Sequence, residues 1–292
     1  MRLAVCASGK LGLRTLLAIA DMDPEITCVF TDKRSEPIID WADQSKLPVF
    51  VGKPREGRAS EFIDKLNVDV LLAINYLFII DQDLIGWPHQ YAINVHGSLL
   101  PKYRGRTPHV WAIINNEGQT GITAHLIDAG CDTGPIVEQI VIPIEKDDTG
   151  GSLLKKFERT YPVLVEKLLN AIKHQTVNPI QQDESKATYF GKRTPADGEI
   201  NWAWQKERIR NWVRAQADPY PGAFTWLGKE KMIIDKVIFD DFGFHSDTPN
   251  GTVLSIDPIR VKTPNGVIRI EKAREIPQEL KIHQRLGPYE NS

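Results

Sequence analysis

Strands and helices alternate through the first part of the chain, and this alternation constrains the fold more than any other feature. The run at 2–6 (RLAVC) is typical of a strand, and after a small-residue turn apolar residues recur at helical spacing. Further strands are predicted at 26–31, 48–51, 68–74 and 91–96, with helices at 38–44 and 59–66. Because strands separated by helices usually pair in parallel, the sequence predicts an α/β fold with a doubly wound, mainly parallel sheet.

The later part of the chain predicts a second, smaller domain. After a helix at 108–116 and strands at 121–127 and 136–143, the segment 151–174 has the apolar period of one long helix, which Pro162 should kink or split. Beyond Gln181 a helix at 206–215 precedes short alternating runs, and Pro264-Asn265-Gly266 indicates a hairpin. We therefore predict domains at 1–202 and 203–292, the second a small β-barrel.

Composition bounds the class of protein. The chain has 292 residues, long for one core, and no run approaches the roughly 20 apolar residues that span a bilayer, so we expect a cytoplasmic protein without a membrane partner. Its 36 basic and 38 acidic residues give a net charge of -2 and no general attraction for nucleic acid. Cys6, Cys28 and Cys131 lack a C-x-x-C pair, so neither a disulfide framework nor a metal site is predicted.

The residues best suited to catalysis lie between Tyr91 and Ile136. Strict alternation along a strand ending in NVH places Asn94 and His96 on one side, and the loop that follows is of the kind that often carries chemistry. Each candidate also has a simpler explanation: a strand-end asparagine is often a turn former, and a lone histidine beside glycine is more often a structural residue. Asp132, further along the chain, could be a turn or cap residue. The geometry alone leaves these alternatives open.

Cys131 offers a rival site. Together with His96 and Asn94 it has the residue types of a Cys-His-Asn protease. Two expectations oppose that interpretation: in an extended segment the side chain of Cys131 diverges from its neighbour Asp132, and a small buried thiol is the commoner role.

These motifs resemble those of the folate-dependent formyltransferases. Asn94-Val-His96 is followed by Ser98-Leu-Leu-Pro101, and Asp132 lies within DAGCDTG; the family's catalytic set is Asn, His and Asp. The resemblance covers most of the chain, because FGKRTPADGEINW and PYPGAF are similar to the second half of two-domain members. It implies a Rossmann-like catalytic domain, an OB-like C-terminal barrel, N10-formyltetrahydrofolate as co-substrate without a metal, and Asn94, His96 and Asp132 as catalytic residues.

The resemblance also suggests the binding residues. The segment after the strand at 68–74 corresponds to the family's pterin-holding segment, so Tyr76, Leu77, Phe78 and Ile79 are predicted to bind the folate, with plain core as the alternative. Asp128, in DAGCDTG, is predicted to bind it as well. Arginine and lysine suit phosphate or carboxylate, although solvated surface charge is the competing interpretation. The residues predicted to bind the acceptor are Ser8, Gly9, Lys10, Ser98, Lys102, Arg104, Gly105, Arg106, Lys192 and Arg193.

The acceptor distinguishes members of the family. Methionyl-tRNA formyltransferase carries a basic inserted loop, whereas the corresponding stretch Thr31–Pro37 is short and charge-balanced here. The stretches Asn94–Arg106 and Gly191–Pro195 are most similar to nucleotide-sugar N-formyltransferases, including the enzyme acting on UDP-4-amino-4-deoxy-L-arabinose. We predict formyl transfer to a UDP- or dTDP-linked amino sugar, by a protein that can form a homodimer. A tRNA formyltransferase, a formyltetrahydrofolate hydrolase and a binding module with a degenerate site remain alternatives.

Overall fold

The computed structural model describes residues 1–288. Its strands are β1 Arg2–Ala7, β2 Glu25–Thr31, β3 Val49–Val51, β4 Val70–Ile74, β5 Tyr91–His96, β6 Arg104–Gly105, β7 Gln119–Leu126, β8 Ile136–Pro143, β9 Tyr189–Phe190, β10 Ala223–Leu227, β11 Glu230–Asp240, β12 Val253–Ile256, β13 Ile259–Thr263 and β14 Gly266–Arg274. Its α-helices are α1 Gly9–Asp21, α2 Glu36–Gln44, α3 Ser60–Ile63, α4 Gln82–Ile85, α5 Pro108–Ile114, α6 Gly150–Lys173 and α7 Lys206–Gln216. Within residues 1–288, every helix is either too short or too polar to span a lipid bilayer.

A seven-stranded sheet organises the first part of the chain. Its strand order is β3-β2-β1-β4-β5-β7-β8. The pairs from β3 through β5 are parallel, and β7 lies antiparallel to β5. This arrangement confirms the predicted α/β, doubly wound, mainly parallel sheet. Because the strand order reverses between β1 and β4, their carboxyl ends open the kind of crevice that binds ligands in such folds.

The central strands are continuous apolar runs because both faces of the sheet are covered. Every residue of β4 is buried, as are all residues of β1 after Arg2. A strand buried on both faces has no need of polar alternation, which is why RLAVC and VLLAI are recognisable in the sequence. The core therefore fixes the positions at which β1, β4 and β5 end, and with them the loops that carry the candidate site.

The described chain forms two compact units, and each is built from separate stretches. The first contains Met1–Gly105, Thr120–Ile142 and Lys155–Phe190; the second contains Arg106–Gln119, Pro143–Leu154 and the chain from Gly191 onward. The domain boundary at 202 stays a prediction.

Two helices differ from expectation. Helix α6 contains Pro162 without being split, because its apolar stripe, including Phe157, Leu164 and Leu168, is fully or almost fully buried and this burial offsets the hydrogen bond that proline cannot make. A kink at Pro162 stays a prediction. Helix α3 is shorter than predicted: after Ile63 the chain tightens into a turn in which the N–H of Leu66 donates to the Ile63 carbonyl.

The second unit carries a five-stranded antiparallel sheet in the order β10-β11-β14-β13-β12. The predicted hairpin is confirmed, since Thr263 pairs with Gly266 across a two-residue loop. The segment 283–287 bridges the two edge regions, because Gly287 exchanges hydrogen bonds with Trp226 of β10 while Leu286 and His283 bond to Gly251 and Val253 beside β12. The result is a curled β-sheet, as expected for a smaller β domain.

Candidate active site

Strand β5 places the predicted amide and imidazole on one face, near its carboxyl end. In the antiparallel pairing of β5 with β7, Asn94 lies opposite His125 and His96 lies opposite Thr123. The amide of Asn94 lies 3.1 Å from Nε2 of His125, and its Nδ2 also donates to Asp132 at 3.3 Å. The strand register therefore brings a second histidine, His125, next to Asn94; the sequence analysis did not predict this contact.

Asp132 lies in the loop between β7 and β8 and reaches back to these residues. Its Oδ1 is 3.5 Å from His96 Nδ1 and 3.5 Å from His125 Nε2, while its Oδ2 accepts a hydrogen bond from the Gly105 N–H at 2.9 Å. The residue has φ of +57°, a left-handed conformation that non-glycine residues adopt seldom and often at functional sites. Asn94 and His96, two of the predicted catalytic side chains, thus converge on the carboxylate of the third, Asp132.

The protonation state of His96 follows from its surroundings. Its Nε2 lies 2.8 Å from the Tyr103 carbonyl oxygen, which can only accept, so this nitrogen carries a proton. The pKa of His96 is lowered, because burial of the imidazole outweighs the opposing effects of Asp132 and the Tyr103 carbonyl. At neutral pH the ring is therefore uncharged, and Nδ1 faces the site as a proton acceptor.

The carboxylate is held in its ionised form. Burial by itself would raise the pKa of Asp132, but His96, His125 and the Gly105 N–H together bring it well below its ordinary value. The side chain is 12% exposed, which leaves it within reach of a bound molecule. An ionised acceptor beside a neutral imidazole is an arrangement suited to moving a proton.

His125 orients the amide of Asn94. Its Nδ1 lies 2.8 Å from the Leu126 carbonyl, which can only accept, and its Nε2 faces the Nδ2 of Asn94 at 3.1 Å. His125 is buried in a strand whose neighbours are apolar or small. A histidine in such a strand was the signal available in the sequence; its pairing with Asn94 depends on the β5–β7 register.

The expectations for Cys131 were wrong in both respects. The thiol is exposed rather than buried, and its Sγ lies 3.6 Å from Asp132 Oδ2 rather than diverging from it. The left-handed backbone at Asp132 breaks the alternation on which the expected divergence depended.

The loop after β5 does not present all of its predicted acceptor-binding residues. The side chain of Arg104 is 0% exposed, and its guanidinium donates to Gln182, Glu184 and Tyr189. The Ser98 hydroxyl is also buried and donates to the Lys102 carbonyl. Both side chains are committed to internal hydrogen bonds that hold the loop, and their predicted contacts with the acceptor stay predictions.

The other basic residues of this loop have a different setting. Lys102 and Arg106 are exposed, and Gly105 contributes its N–H to Asp132. Lys10 is exposed in the first turn of α1, after the buried Ser8. The Gly9 N–H donates to the Ser35 hydroxyl, so that backbone donor is already committed.

The segment after β4 is partly apolar surface and not plain core. The side chains of Leu77 and Ile79 are 45% and 61% exposed, while Tyr76 and Phe78 are half-buried and meet edge to face. Asp128 has an organising contact, since its Oδ1 accepts from the Gly130 N–H and the Thr133 hydroxyl. These two bonds shape the turn that leads into Asp132.

Lys192 and Arg193 lie in the second unit. The guanidinium of Arg193 is stacked between the rings of Trp111 and Trp212, 4.9 Å and 4.4 Å from their centroids. It also donates to the Asp197 carbonyl and to the Gln216 side chain. These contacts favour a structural role for Arg193, whereas Lys192 is exposed.

The chain belongs to the formyl transferase family. Residues 3–168 match the formyl transferase family, and residues 192–284 match the formyl transferase C-terminal domain. Asn94, His96 and Asp132 all lie within the first of these matched stretches. The protein is thus an enzyme of the formyltransferase class.

Solved structures with the same fold include sugar-modifying members. One is an N-formyltransferase from Helicobacter canadensis in complex with folinic acid and dTDP-3-aminofucose, with a TM-score of 0.72 at 20% identity. The superposition covers 93% of this chain and 99% of the Helicobacter canadensis chain. WlaRD, a sugar 3N-formyl transferase with dTDP and 5-N-formyl-THF, has a TM-score of 0.69 at 19% identity and coverages of 95% and 98%. Methionyl-tRNA formyltransferase from Clostridium thermocellum has a TM-score of 0.58 at 18% identity, with coverages of 93% and 100%. At these identities the similarity establishes the fold.

Proposed function

We propose that this protein transfers a formyl group from N10-formyltetrahydrofolate to the amine of a nucleotide-linked amino sugar. The observation that carries the proposal is the convergence of Asn94, His96 and His125 on a single oxygen of Asp132. Support for the two substrates comes from the family membership and from the ligands of the Helicobacter canadensis and WlaRD structures, a formyl-folate with dTDP or a dTDP-amino sugar.

The reaction needs no covalent enzyme intermediate. The acceptor nitrogen attacks the formyl carbon, which forms the new carbon–nitrogen bond and an oxyanion, and the bond from that carbon to N10 then breaks. The acceptor amine loses one proton and N10 gains one, so the products are the N-formyl sugar and tetrahydrofolate. The protein must therefore stabilise an oxyanion and move a proton.

In this proposal the two tasks belong to different side chains. His96 is neutral and its Nδ1 accepts the amine proton; the imidazolium that forms is stabilised by Asp132 at 3.5 Å. Asn94 supplies an N–H to the oxyanion, a contact typically worth about 2.7 to 4 kcal/mol in acyl transfer. Its longer bond, 3.3 Å to Asp132, is the one that the oxyanion competes with, while His125 keeps the amide oriented.

The exposed apolar segment after β4 is the proposed folate platform. Leu77 and Ile79 present apolar side chains beyond the end of a parallel strand, where ligands bind in folds of this type. A pterin ring bound over these side chains would remove their apolar surface from water. This burial contributes favourably to the free energy of binding. Asp128 contributes by holding the turn that carries Asp132.

A nucleotide sugar fits the charges better than tRNA does. The stretch Thr31–Pro37 has two exposed cations, Lys33 and Arg34, and its Asp32 and Ser35 are buried and bonded to each other. A tRNA acceptor stem requires clustered lysine and arginine, whereas one diphosphate requires a few exposed cations. The proposed phosphate contacts are Lys10 and Lys102, both exposed. A homodimer remains a prediction.

One screen tests the proposal against its rivals. The protein is incubated with N10-formyltetrahydrofolate and, separately, UDP-4-amino-4-deoxy-L-arabinose, dTDP-linked 3-amino and 4-amino sugars, methionyl-tRNA, or no acceptor. A mass gain of one CO on a nucleotide sugar is the expected result. Formyl-methionyl-tRNA as the sole product would establish the tRNA enzyme, formate without acceptor would establish the hydrolase, and turnover of none would contradict an active formyltransferase site.

A further inference from the structure

Gln182 connects the loop that carries Asp132 with the side chain of Arg104. Its Nε2 donates to the carbonyl oxygens of Asp132 and Gly134, at 2.8 Å and 2.7 Å. Its Oε1 accepts from the guanidinium of Arg104, at 3.2 Å from Nε and 2.7 Å from Nη2. Carbonyl oxygens only accept and a guanidinium only donates, so chemistry fixes the orientation of this amide.

Arg104 in turn is anchored to a third segment. Its guanidinium makes a two-point contact with Glu184, at 2.6 Å and 2.9 Å, and its backbone N–H donates to the Thr188 carbonyl. Two-point arginine–carboxylate contacts fix direction as well as distance. Arg104 immediately precedes Gly105, whose N–H donates to Asp132 Oδ2. The contacts of Arg104 therefore hold both Gln182 and the backbone that binds the Asp132 carboxylate.

Asp132 needs such support because of its backbone. Its left-handed φ of +57° is a conformation that persists only where surrounding contacts enforce it. Gln182 bonds to the carbonyl of Asp132 itself and to that of Gly134, two residues on, and so holds both sides of the strained turn. The carboxylate and its backbone are therefore fixed by different groups, Gly105 and Gln182.

We propose that Gln182, held by Arg104 and Glu184, is the residue that positions the Asp132 carboxylate against His96 for formyl transfer. The inference rests on the proposed function for its kinetic consequence. Gln182 is a positioning residue, because its hydrogen bonds go to backbone carbonyls and to Arg104 and none of them reaches Asn94 or His96. It lies between the two stretches matched to the family, 3–168 and 192–284.

Two substitutions separate its two contacts. Gln182→Glu keeps an oxygen for Arg104 but removes the donor to both carbonyls, whereas Gln182→Met removes all of these bonds at similar size. Gln181 is an exposed glutamine next in sequence, so Gln181→Glu and Gln181→Met are matched controls. Both Gln182 variants should lower kcat about 10- to 100-fold with little change in KM for either substrate, because misplacement of a supporting group slows the reaction step.

A double-mutant cycle tests whether Gln182 acts through the carboxylate. In an Asp132→Asn background, Gln182→Glu should lower the residual kcat by less than about twofold, because the group that it positions is already gone. Independent, multiplying effects of the two substitutions would overturn the proposal, as would Gln182→Glu and Gln182→Met kcat values equal to those of the Gln181 controls.

A third measurement is independent of turnover. The titration of His96, followed by the NMR signals of its imidazole and assigned with His96→Ala, reports the distance of the carboxylate. In Gln182→Met the pKa of His96 should fall further, since Asp132 raises it in the native arrangement; in Gln181→Met it should not change. An unchanged titration in Gln182→Met would overturn the positioning role. Absence of formyl transfer by the native enzyme, with this shift present, would contradict the proposed function alone.

Discussion

Asp132 Oδ1 lies 3.5 Å from His96 Nδ1, on the side of the imidazole opposite to its bond with the Tyr103 carbonyl. One nitrogen is thus committed to the backbone, and the other faces an ionised carboxylate across a gap slightly longer than a hydrogen bond. An amine that delivers a proton to Nδ1 creates a charge pair at this position. The arrangement favours the protonated product of the transfer step over the neutral ring that begins it.

Asp132→Asn should shift the pH profile of formyl transfer and also lower its rate. The groups that change the pKa of His96 are its burial and His125, which lower it, and Asp132 and the Tyr103 carbonyl, which raise it. Loss of the carboxylate removes a raising effect, so the acidic limb of kcat/KM should shift to lower pH, with kcat reduced about 100-fold. Profiles of the native enzyme, Asp132→Asn and the surface control Asp21→Asn check this; a limb displaced to higher pH would contradict the assigned roles.

Cys131→Ser should retain formyl transfer within about threefold of the native rate, since the thiol contributes no proposed chemical step. The Cys-His-Asn interpretation instead requires a thiolate nucleophile and predicts near-complete loss. Steady-state kinetics distinguish the two. Severe loss in a serine variant that unfolds normally in urea would support the rival Cys-His-Asn interpretation.

Gly105→Ala should reduce both stability and activity. The residue has φ of +99°, and an added Cβ would overlap the Phe190 carbonyl oxygen on the paired strand β9. Backbone has to shift in response, which should lower the free energy of unfolding by more than about 1 kcal/mol and displace the N–H that holds Asp132. Gly191→Ala is the matched control, because nothing lies near an added Cβ there. Equal unfolding midpoints for the two variants would show that the close approach is not important.

Arg193→Ala and Lys192→Ala should have separate effects. Arg193 is stacked between two indole rings, so its loss should lower the free energy of unfolding by about 1 to 2 kcal/mol. Lys192 is exposed, and its replacement should leave the urea midpoint unchanged. If Arg193 is structural, KM for the nucleotide sugar stays within about twofold of the native value. A large rise in this KM at native stability would restore the acceptor-binding role first predicted for Arg193.

Local sequence signals predicted much of the framework. Strands buried on both faces, such as β1 and β4, are apolar throughout, and alternation in β5 put Asn94 and His96 on one face. Asp132 entered through family resemblance, because spacing alone gave no reason for a loop residue to turn back toward β5.

Long-range contacts were the part that local patterns missed. His125 meets Asn94 only through the register of β7, and Gln182 reaches Asp132 and Arg104 from a segment without regular structure of its own. Arg104 appeared suited to phosphate because its partners, Gln182 and Glu184, lie far along the chain. Pro162 shows the same limit, since burial of a helix face outweighs a local preference.

The most direct test of the account is the formyl-transfer rate of His96→Ala beside that of His174→Ala. His174 is an exposed histidine after α6 and serves as the matched control. With both variants folded, as checked by circular dichroism and urea unfolding, His96→Ala should lose at least about 100-fold in kcat/KM while His174→Ala keeps the native value. A His96→Ala rate within about threefold of the control would contradict the central claim that this imidazole moves the proton in formyl transfer.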